Sequence, residues 1–369
     1  MKKIFASGYY GRLNLGDDVL LLNFLLDKKS DDTLFIIPSF SPDITKEQYK
    51  EFNIKVVNYY NILTLLKEMV TSNCIAFPGG GHLFDNKKLC ILTIITFAII
   101  KLWQKETIMY PIGVEPIHTV MGKIAARLLV KANKGVLVRD IYSKNELTKI
   151  GIQESAIKCT IDPAINIFNH IDIKKKHNLT DNKKLKIAIS FLDANKSSAY
   201  KDKEKLYIQI INFLLKKGHQ LYLVPMCYGE GDYVLMKELK NNYIKNDKIS
   251  IIENVTSPLQ MIERIGDFDA CIGMRLHFKI FAALNGIPFS SITRSNKSRA
   301  ICEYFEQKEI GNINDSFVIM ENNLNEFLDN IKEYQKRVQD NLQKALNLND
   351  KTYSILNILN CTPKLDKIC

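Results

Sequence analysis

With 369 residues, a net charge of +11, 46% hydrophobic and 25% charged residues, the chain is long enough for two domains and too apolar for wholesale disorder. Its cationic excess is mostly lysine scattered through an Asn- and Ile-rich sequence, which favours anionic substrates or an anionic membrane surface. No zinc-finger spacing, RNA-recognition aromatic motif or long basic helix points to nucleic acid, and eight cysteines standing singly read as buried, reduced thiols of a cytosolic protein.

Short apolar runs alternate with helical patterns along the first half, the signature of a parallel sheet wrapped by helices. Met1-Lys2-Lys3 leads into a strand at Lys3 to Ser7 with no signal-peptide core. The loop Gly8-Tyr9-Tyr10-Gly11-Arg12-Leu13-Asn14-Leu15-Gly16-Asp17-Asp18 then precedes a helix to Leu26. Its glycines are not spaced G-x-G-x-x-G, so a dinucleotide fingerprint is absent. Asp17 and Asp18 discourage phosphate at that helix start and suit N-capping or sugar hydroxyls; a structural tight turn explains the loop equally well.

Strands are expected at Thr33 to Pro38, Ile54 to Val57 and Cys74 to Phe77, with a helix at Ile62 to Val70. After Phe77-Pro78 come Gly79, Gly80 and Gly81, three glycines whose entropy cost a simple turn does not require. They imply backbone approaching a ligand or an opposite lobe, with His82 and Asp85 nearby. The helix Lys88 to Trp103 contains the longest uncharged run, Leu89 to Ile100, too short to span a bilayer. It reads as a buried helix, with monotopic membrane contact as the lesser alternative. A strand at Thr107 to Ile112, a helix at Val120 to Ala132, a strand at Gly135 to Arg139 and a helix at Ser143 to Ile150 complete this half. Val138-Arg139-Asp140 with Ser143, and Asp162-Pro163-Ala164, are each explicable as caps or turns.

A polar stretch from Asn169 to Lys184 reads as a linker. Strands are then expected at Leu185 to Phe191, Gln220 to Pro225, Ile249 to Ile252, Phe268 to Ile272 and Phe289 to Thr293. Helices are expected at Lys203 to Lys217, Asp232 to Asn241, Pro258 to Ile265 and Lys279 to Asn285, with a helical tail from Asn323 to Leu348. The most informative segment is Cys271-Ile272-Gly273-Met274-Arg275-Leu276-His277. Gly273 breaks a buried strand, so Arg275 and His277 emerge past its carboxyl end, where ligands of open α/β sheets gather. On extended backbone the two would point the same way. A fixed cation beside a group titrating near neutrality suits an anionic substrate whose reaction moves a proton. The bland reading is an arginine bound to a helix carboxylate and a histidine packed at a strand end. His118, His170, His177 and His219 read as loop or surface histidines, and no P-loop, H-E-x-x-H pair, metal-ligand cluster or Gly-x-Ser-x-Gly appears.

Taken in order, several pieces resemble the polysaccharide pyruvyl transferase family: Gly8-Tyr9-Tyr10-Gly11 with Asn14 to Asp17; Gly79-Gly80-Gly81; Val138-Arg139-Asp140 with Ser143, Leu147 and Gly151; Asp162-Pro163-Ala164; Met274-Arg275-Leu276-His277; Gly286-Ile287-Pro288; and Lys297. The resemblance implies two Rossmann-like, doubly wound lobes in a GT-B-like arrangement. With the alternation pattern it sets an acceptor-side lobe at 1–168, a donor-side lobe at 182–320 and a helical tail at 321–369. It implies transfer of pyruvate from phosphoenolpyruvate, a co-substrate rather than a bound cofactor, to a sugar as a cyclic ketal. The acceptor would be a surface polysaccharide or its lipid-linked precursor, reached in the cytoplasm with room for peripheral contact at the inner membrane face.

By position, His277 takes the role of general acid, and Arg275, with Leu276 supplying backbone, that of donor binding. Lys297 and Arg294 would add charge for the leaving phosphate, Arg299 reading as surface charge. Asn14, Asp17, Gly79, Gly80, Gly81 and His82 would hold the acceptor, and no metal is expected. One departure stands out: where the family often carries an arginine after the first strand of the second lobe, this chain reads Ser190-Phe191-Leu192-Asp193. The competing readings are a GT-B glycosyltransferase using a nucleotide sugar and a non-catalytic saccharide-binding protein of surface-polymer assembly.

Overall fold

Short strands, most of them followed by a turn and a helix, give β1 (Lys2–Ala6), α1 (Leu15–Lys28), β2 (Thr33–Ser39), α2 (Pro42–Gln48), β3 (Ile54–Asn58), α3 (Ile62–Thr71) and β4 (Cys74–Phe77). They continue as β5 (Gly80–Leu83), α4 (Lys87–Leu102), β6 (Glu106–Met109), β7 (Ile112–Val114), α5 (Val120–Ala132), β8 (Val136–Val138), α6 (Ile141–Lys149) and β9 (Ile157–Cys159). The computed structural model describes residues 1–133, 135–173, 179, 184–192, 203–229, 231–243 and 246–361. Met1–Gly11, Leu20–His170 and the chain from Ala345 form one compact unit, and Arg12–Val19 with Ile171–Lys344 form a second.

The first unit has two parallel sheets, ordered β3-β2-β1-β4-β6 and β5-β7-β8-β9. Strand pair β4 and β6 runs on as pair β5 and β7 in the other sheet, because the chain steps across at Pro78-Gly79 and again at Tyr110-Pro111. The single strand expected at Thr107 to Ile112 is therefore two. Gly79 and Gly80 make the first step at φ +115° and +93°, backbone that side chains rarely adopt. Helix α2 and strands β5 and β9 were not expected. Helix α4 lies where expected, but it is not enclosed: only Cys90, Thr96, Ile99 and Ile100 are buried.

In the second unit, β10 (Lys186–Ser190), α7 (Glu204–Lys216), β11 (Gln220–Leu223), α8 (Asp232–Glu238), β12 (Ile249–Ile251) and α9 (Pro258–Ile265) lead to β13 (Ala270–Gly273). There follow α10 (Leu276–Leu284), β14 (Phe289–Thr293), α11 (Asn296–Tyr304), β15 (Glu309–Asn312), α12 (Phe317–Asp329) and α13 (Ile331–Cys361). The sheet is fully parallel in the order β12-β11-β10-β13-β14-β15. Winding reverses between β10 and β13, and the crevice at that switch point is where such sheets bind ligands.

The expected tail is no appendage. Met320, Leu324 and Phe327 of α12 are buried in the same apolar cluster as Ile187, Ile189, Ile272 and Ile310. Most of the expected linker at Asn169 to Lys184 lies outside the described residues, as does His177. His219 is buried, not loose: its Nδ1 accepts from the Leu185 N–H at 3.2 Å, and burial holds its pKa below the ordinary value. Among the described thiols Cys159 is exposed, while Cys74, Cys90, Cys227, Cys271 and Cys302 are buried and not in disulfides.

Candidate active site

Gly273 ends β13 because no side chain fits there: a Cβ would sit 2.6 Å from the Phe278 ring and 3.1 Å from the Ser190 carbonyl. The chain then turns sooner than expected. Arg275 is the N-cap of α10 and His277 its second residue, so the two do not share extended backbone. The turn puts a helix N-terminus at the switch point, whose amide groups have no partners within the helix and carry partial positive charge.

Arg275 Nε and Nη2 donate to the two carboxylate oxygens of Asp232, both at 2.8 Å. Asp232 is buried at the start of α8. The pair uses two of the five guanidinium N–H donors and fixes the plane of the group. Burial works against the charge, but Asp232, with Asp17 contributing, leaves the pKa raised. The bland reading of Arg275 as a partner of a helix carboxylate thus describes one side of its guanidinium. Asp232 was missed in the sequence, although its place after Gly229-Glu230-Gly231 is a recognisable strand-to-helix turn.

The segment Arg12–Val19 packs as part of this same unit. Asn14 pairs with Cys227 in an antiparallel bridge, Leu15 N–H donates to the Met226 carbonyl, and Tyr228 N–H donates to the Leu13 carbonyl, both at 3.0 Å. Asn14 Oδ1 accepts from Gly16 N–H at 3.2 Å, and Asn14 Nδ2 donates to Asp17 at 2.7 Å. Gly16 is buried against the imidazole of His277: a Cβ there would collide with Nδ1 and lie 2.9 Å from Cγ. The starts of α1 and α10 therefore meet at Gly16 and His277. The structure brings together Asn14, Asp17, Arg275 and His277 from opposite ends of the sequence.

Beneath α10 lies a group that sequence reasoning passed over. Lys279 is fully buried, with Nζ donating to Ser291 Oγ at 2.7 Å, to the Ser298 carbonyl at 3.0 Å and to Ser298 Oγ. Burial pushes its pKa down to about 8, against the raising influence of Cys302 and Glu309. Ser298 Oγ also lies 3.0 Å from the Met274 carbonyl, so one ammonium braces both the turn before Arg275 and the first turn of α11. Lys297 is exposed on that turn and Arg294 is exposed just before it, and Arg299 pairs with Glu309 at 3.0 Å. Flanking β13, the buried hydroxyls of Ser190 and Thr293 have no hydrogen-bond partner among the described residues. Phe191, in the segment after β10 where an arginine was expected from the resemblance, is buried and stacked on Tyr207 with ring centroids 4.2 Å apart. Asp193 lies outside the described residues.

Gly79, Gly80, Gly81 and His82 belong to the first unit. A Cβ on Gly79 would meet Pro163 Cγ at 2.6 Å, whereas one on Gly81 would find open space. The His82 ring lies edge-on to Phe77, and its Nε2 is buried without a partner among the described residues. Burial pushes its pKa down to about 4, with the Arg139 charge adding to the effect and a bond to the Gly79 backbone opposing it. Asp85 accepts from His118 N–H at 2.6 Å and Thr119 N–H at 2.8 Å, just ahead of α5, whose own N-cap is Thr119. Arg139 is buried in an ion pair with Asp162 at 3.0 Å, while Asp140 and Asp162 accept from the backbone of Ser143 and Ala164. These last motif residues tie β8, α6 and the turn after β9 together. Among the described residues no group of three His, Cys, Asp or Glu side chains is placed to hold a metal ion.

The chain resembles solved structures over nearly its full length at low identity. A candidate UDP-N-acetylglucosamine 2-epimerase from Listeria monocytogenes matches with TM-score 0.67 and 11% identity, covering 100% of this chain and 99% of that one. The Neisseria meningitidis UDP-GlcNAc 2-epimerase bound to UDP-GlcNAc matches with TM-score 0.61 and 11% identity, covering 97% and 100%. Anabaena HepE in complex with UDP gives TM-score 0.61 and 14% identity, again covering 97% and 100%. These likenesses show the fold: two Rossmann-like lobes of the GT-B type. None of the curated proteins matches the chain. A family model described as polysaccharide pyruvyl transferase matches residues 14–296, from Asn14 in the first glycine loop to the start of α11. The chain belongs to the polysaccharide pyruvyl transferase family.

Proposed function

We propose that the protein transfers pyruvate from phosphoenolpyruvate to a sugar of a surface polysaccharide or its lipid-linked precursor, closing a cyclic ketal. The observation that carries this reading is the meeting of His277, at the α10 N-terminus beside Arg275, with the start of α1 at Gly16. A titratable imidazole two residues from a guanidinium, at the N-terminus of α10, suits an anionic substrate that must be protonated.

In the reaction, His277 protonates the methylene carbon of phosphoenolpyruvate, leaving positive charge on the adjacent carbon. A sugar hydroxyl adds there and loses its proton. The C–O bond to phosphate then breaks, and a second hydroxyl of the same sugar closes the ketal. The products are the pyruvyl ketal and inorganic phosphate, with atoms balanced and no redox step. The Arg275 N–H donors not engaged by Asp232 would face the carboxylate or phosphate, with the Leu276 amide beside them. Lys297 and Arg294 would offset charge on the departing phosphate, in place of the cation that Phe191 does not supply. Asn14 and Asp17 suit acceptor hydroxyls. For Gly79, Gly80, Gly81 and His82 the same role is supported by the open space at Gly81 and the partnerless His82 Nε2.

The glycosyltransferase reading has one point in its favour, the UDP and UDP-sugar bound by proteins of the same fold. Incubation with phosphoenolpyruvate and candidate saccharides, followed by phosphorus and carbon NMR, separates the two. Equimolar phosphate and a new ketal carbon are expected. Turnover of a UDP-sugar with phosphoenolpyruvate untouched would overturn the proposal.

A further inference from the structure

Helix α4 carries no charge between Lys88 and Lys101, and a helix apolar on every side is ordinarily enclosed. This one is not. Ile91 is 42% exposed, Ile95 38%, Leu102 74% and the following Trp103 49%. At steps of four and seven residues, Ile91, Ile95 and Leu102 form one stripe. On the neighbouring α5, Val120 is 74% and Ile124 44% exposed, four residues apart. Neither helix contains an Asp or Glu. Lysines bracket the stripe instead: Lys87 and Lys88 at one end, Lys101 and Lys105 at the other, with Lys123 and Lys131 on α5.

Two occupants of such a face differ in how they meet these charges. A second copy docked about a two-fold axis would bring the same cationic rim against itself, which costs affinity. An anionic bilayer surface accepts the apolar stripe among its acyl chains and the lysines among its headgroups, with a tryptophan at the boundary. We infer that the exposed α4–α5 face of the first unit rests on an anionic lipid surface. It is an in-plane contact, since no helix among the described residues is long and apolar enough to cross a membrane. Lipid contact at this face is independent of the reaction chemistry, and its test reads no turnover.

Trp103 is the chain's one tryptophan, so its fluorescence reports on this face alone. With phosphatidylcholine vesicles containing phosphatidylglycerol, the full chain should float with the vesicles, and Trp103 emission should shift blue and be quenched by brominated acyl chains. High salt or omission of phosphatidylglycerol should weaken both effects. Ile91→Gln with Ile95→Gln should lower vesicle affinity about ten-fold or more. Lys87→Gln with Lys88→Gln, at exposed positions, should reduce the preference for phosphatidylglycerol. Wild-type protein that neither floats nor shifts would overturn the inference, as would undiminished binding by both double variants. A blue shift that depends on protein concentration without vesicles would assign the face to a second copy instead.

Discussion

Gly16 and His277 lie more than 250 residues apart in the chain yet share one contact, and that contact can be tested without knowing the substrate. Alanine in a helix usually gains about 1 kcal/mol over glycine. Here the added methyl group would run into the imidazole, so Gly16→Ala should cost about 1–3 kcal/mol, as overpacking does. Removing the ring should relieve it: Gly16→Ala with His277→Ala should melt above Gly16→Ala alone, and strictly additive changes would show that the two do not touch. Asp232→Asn keeps the shape but removes the charge that orients Arg275. It should raise KM for phosphoenolpyruvate about ten-fold while changing kcat less, and a fall in kcat alone would refute a donor-binding role. Lys279 gives a pH signature. With a folded pKa of about 8 against 10.5 unfolded, the unfolded chain binds the extra proton between those values. Stability should therefore rise with pH across that window, and urea titrations of Lys279→Met should show that rise removed.

At the scale of elements, most strands were legible because they are short apolar runs closed by a turn, as at Cys74–Phe77 and Ala270–Gly273, whereas β5, β9 and β15 lack such a run and escaped. Strand order was not legible, since it depends on pairings between runs far apart in sequence. The early start of α10 escaped because Arg275 is an N-cap without a capping side chain, leaving no Ser, Thr, Asp or Asn to mark it. The missed α2 did carry a signal, Ser41 followed by Pro42 in the first turn. The entropy cost of the triple glycine points to backbone approaching a ligand or an opposite lobe, and the sheet-to-sheet step at Gly79 explains much of that cost by local geometry. Gly79→Ala combines a φ of +115° with a collision against Pro163, and should destabilise by about 2–4 kcal/mol in denaturant unfolding. A loss within a few tenths of a kcal/mol would mean the step does not need glycine. The candidate acid and its arginine were found from their place after a strand. Their supports, Asp232 and Lys279, were not, because a lone carboxylate or lysine in sequence reveals neither its burial nor its partner.

Across the whole molecule, the family match runs from Asn14 to Asn296 and so draws on both units. The division expected from sequence assigned Asn14 and Asp17 to the acceptor-side lobe, yet by contact Arg12–Val19 counts with the second unit. The proposed donor residues Arg275 and His277 and the first acceptor candidates Asn14 and Asp17 thus count with one unit. The chain's last long helix likewise begins in the second unit and ends in the first. Proton delivery by His277 to the methylene carbon of phosphoenolpyruvate, as proposed, is tested most directly by turnover in deuterated water. The ketal methyl formed by the wild-type protein should carry solvent deuterium, and His277→Ala should bind acceptor normally while forming almost no labelled product. Undiminished labelled product from His277→Ala, or a ketal methyl free of deuterium from the wild type, would contradict it.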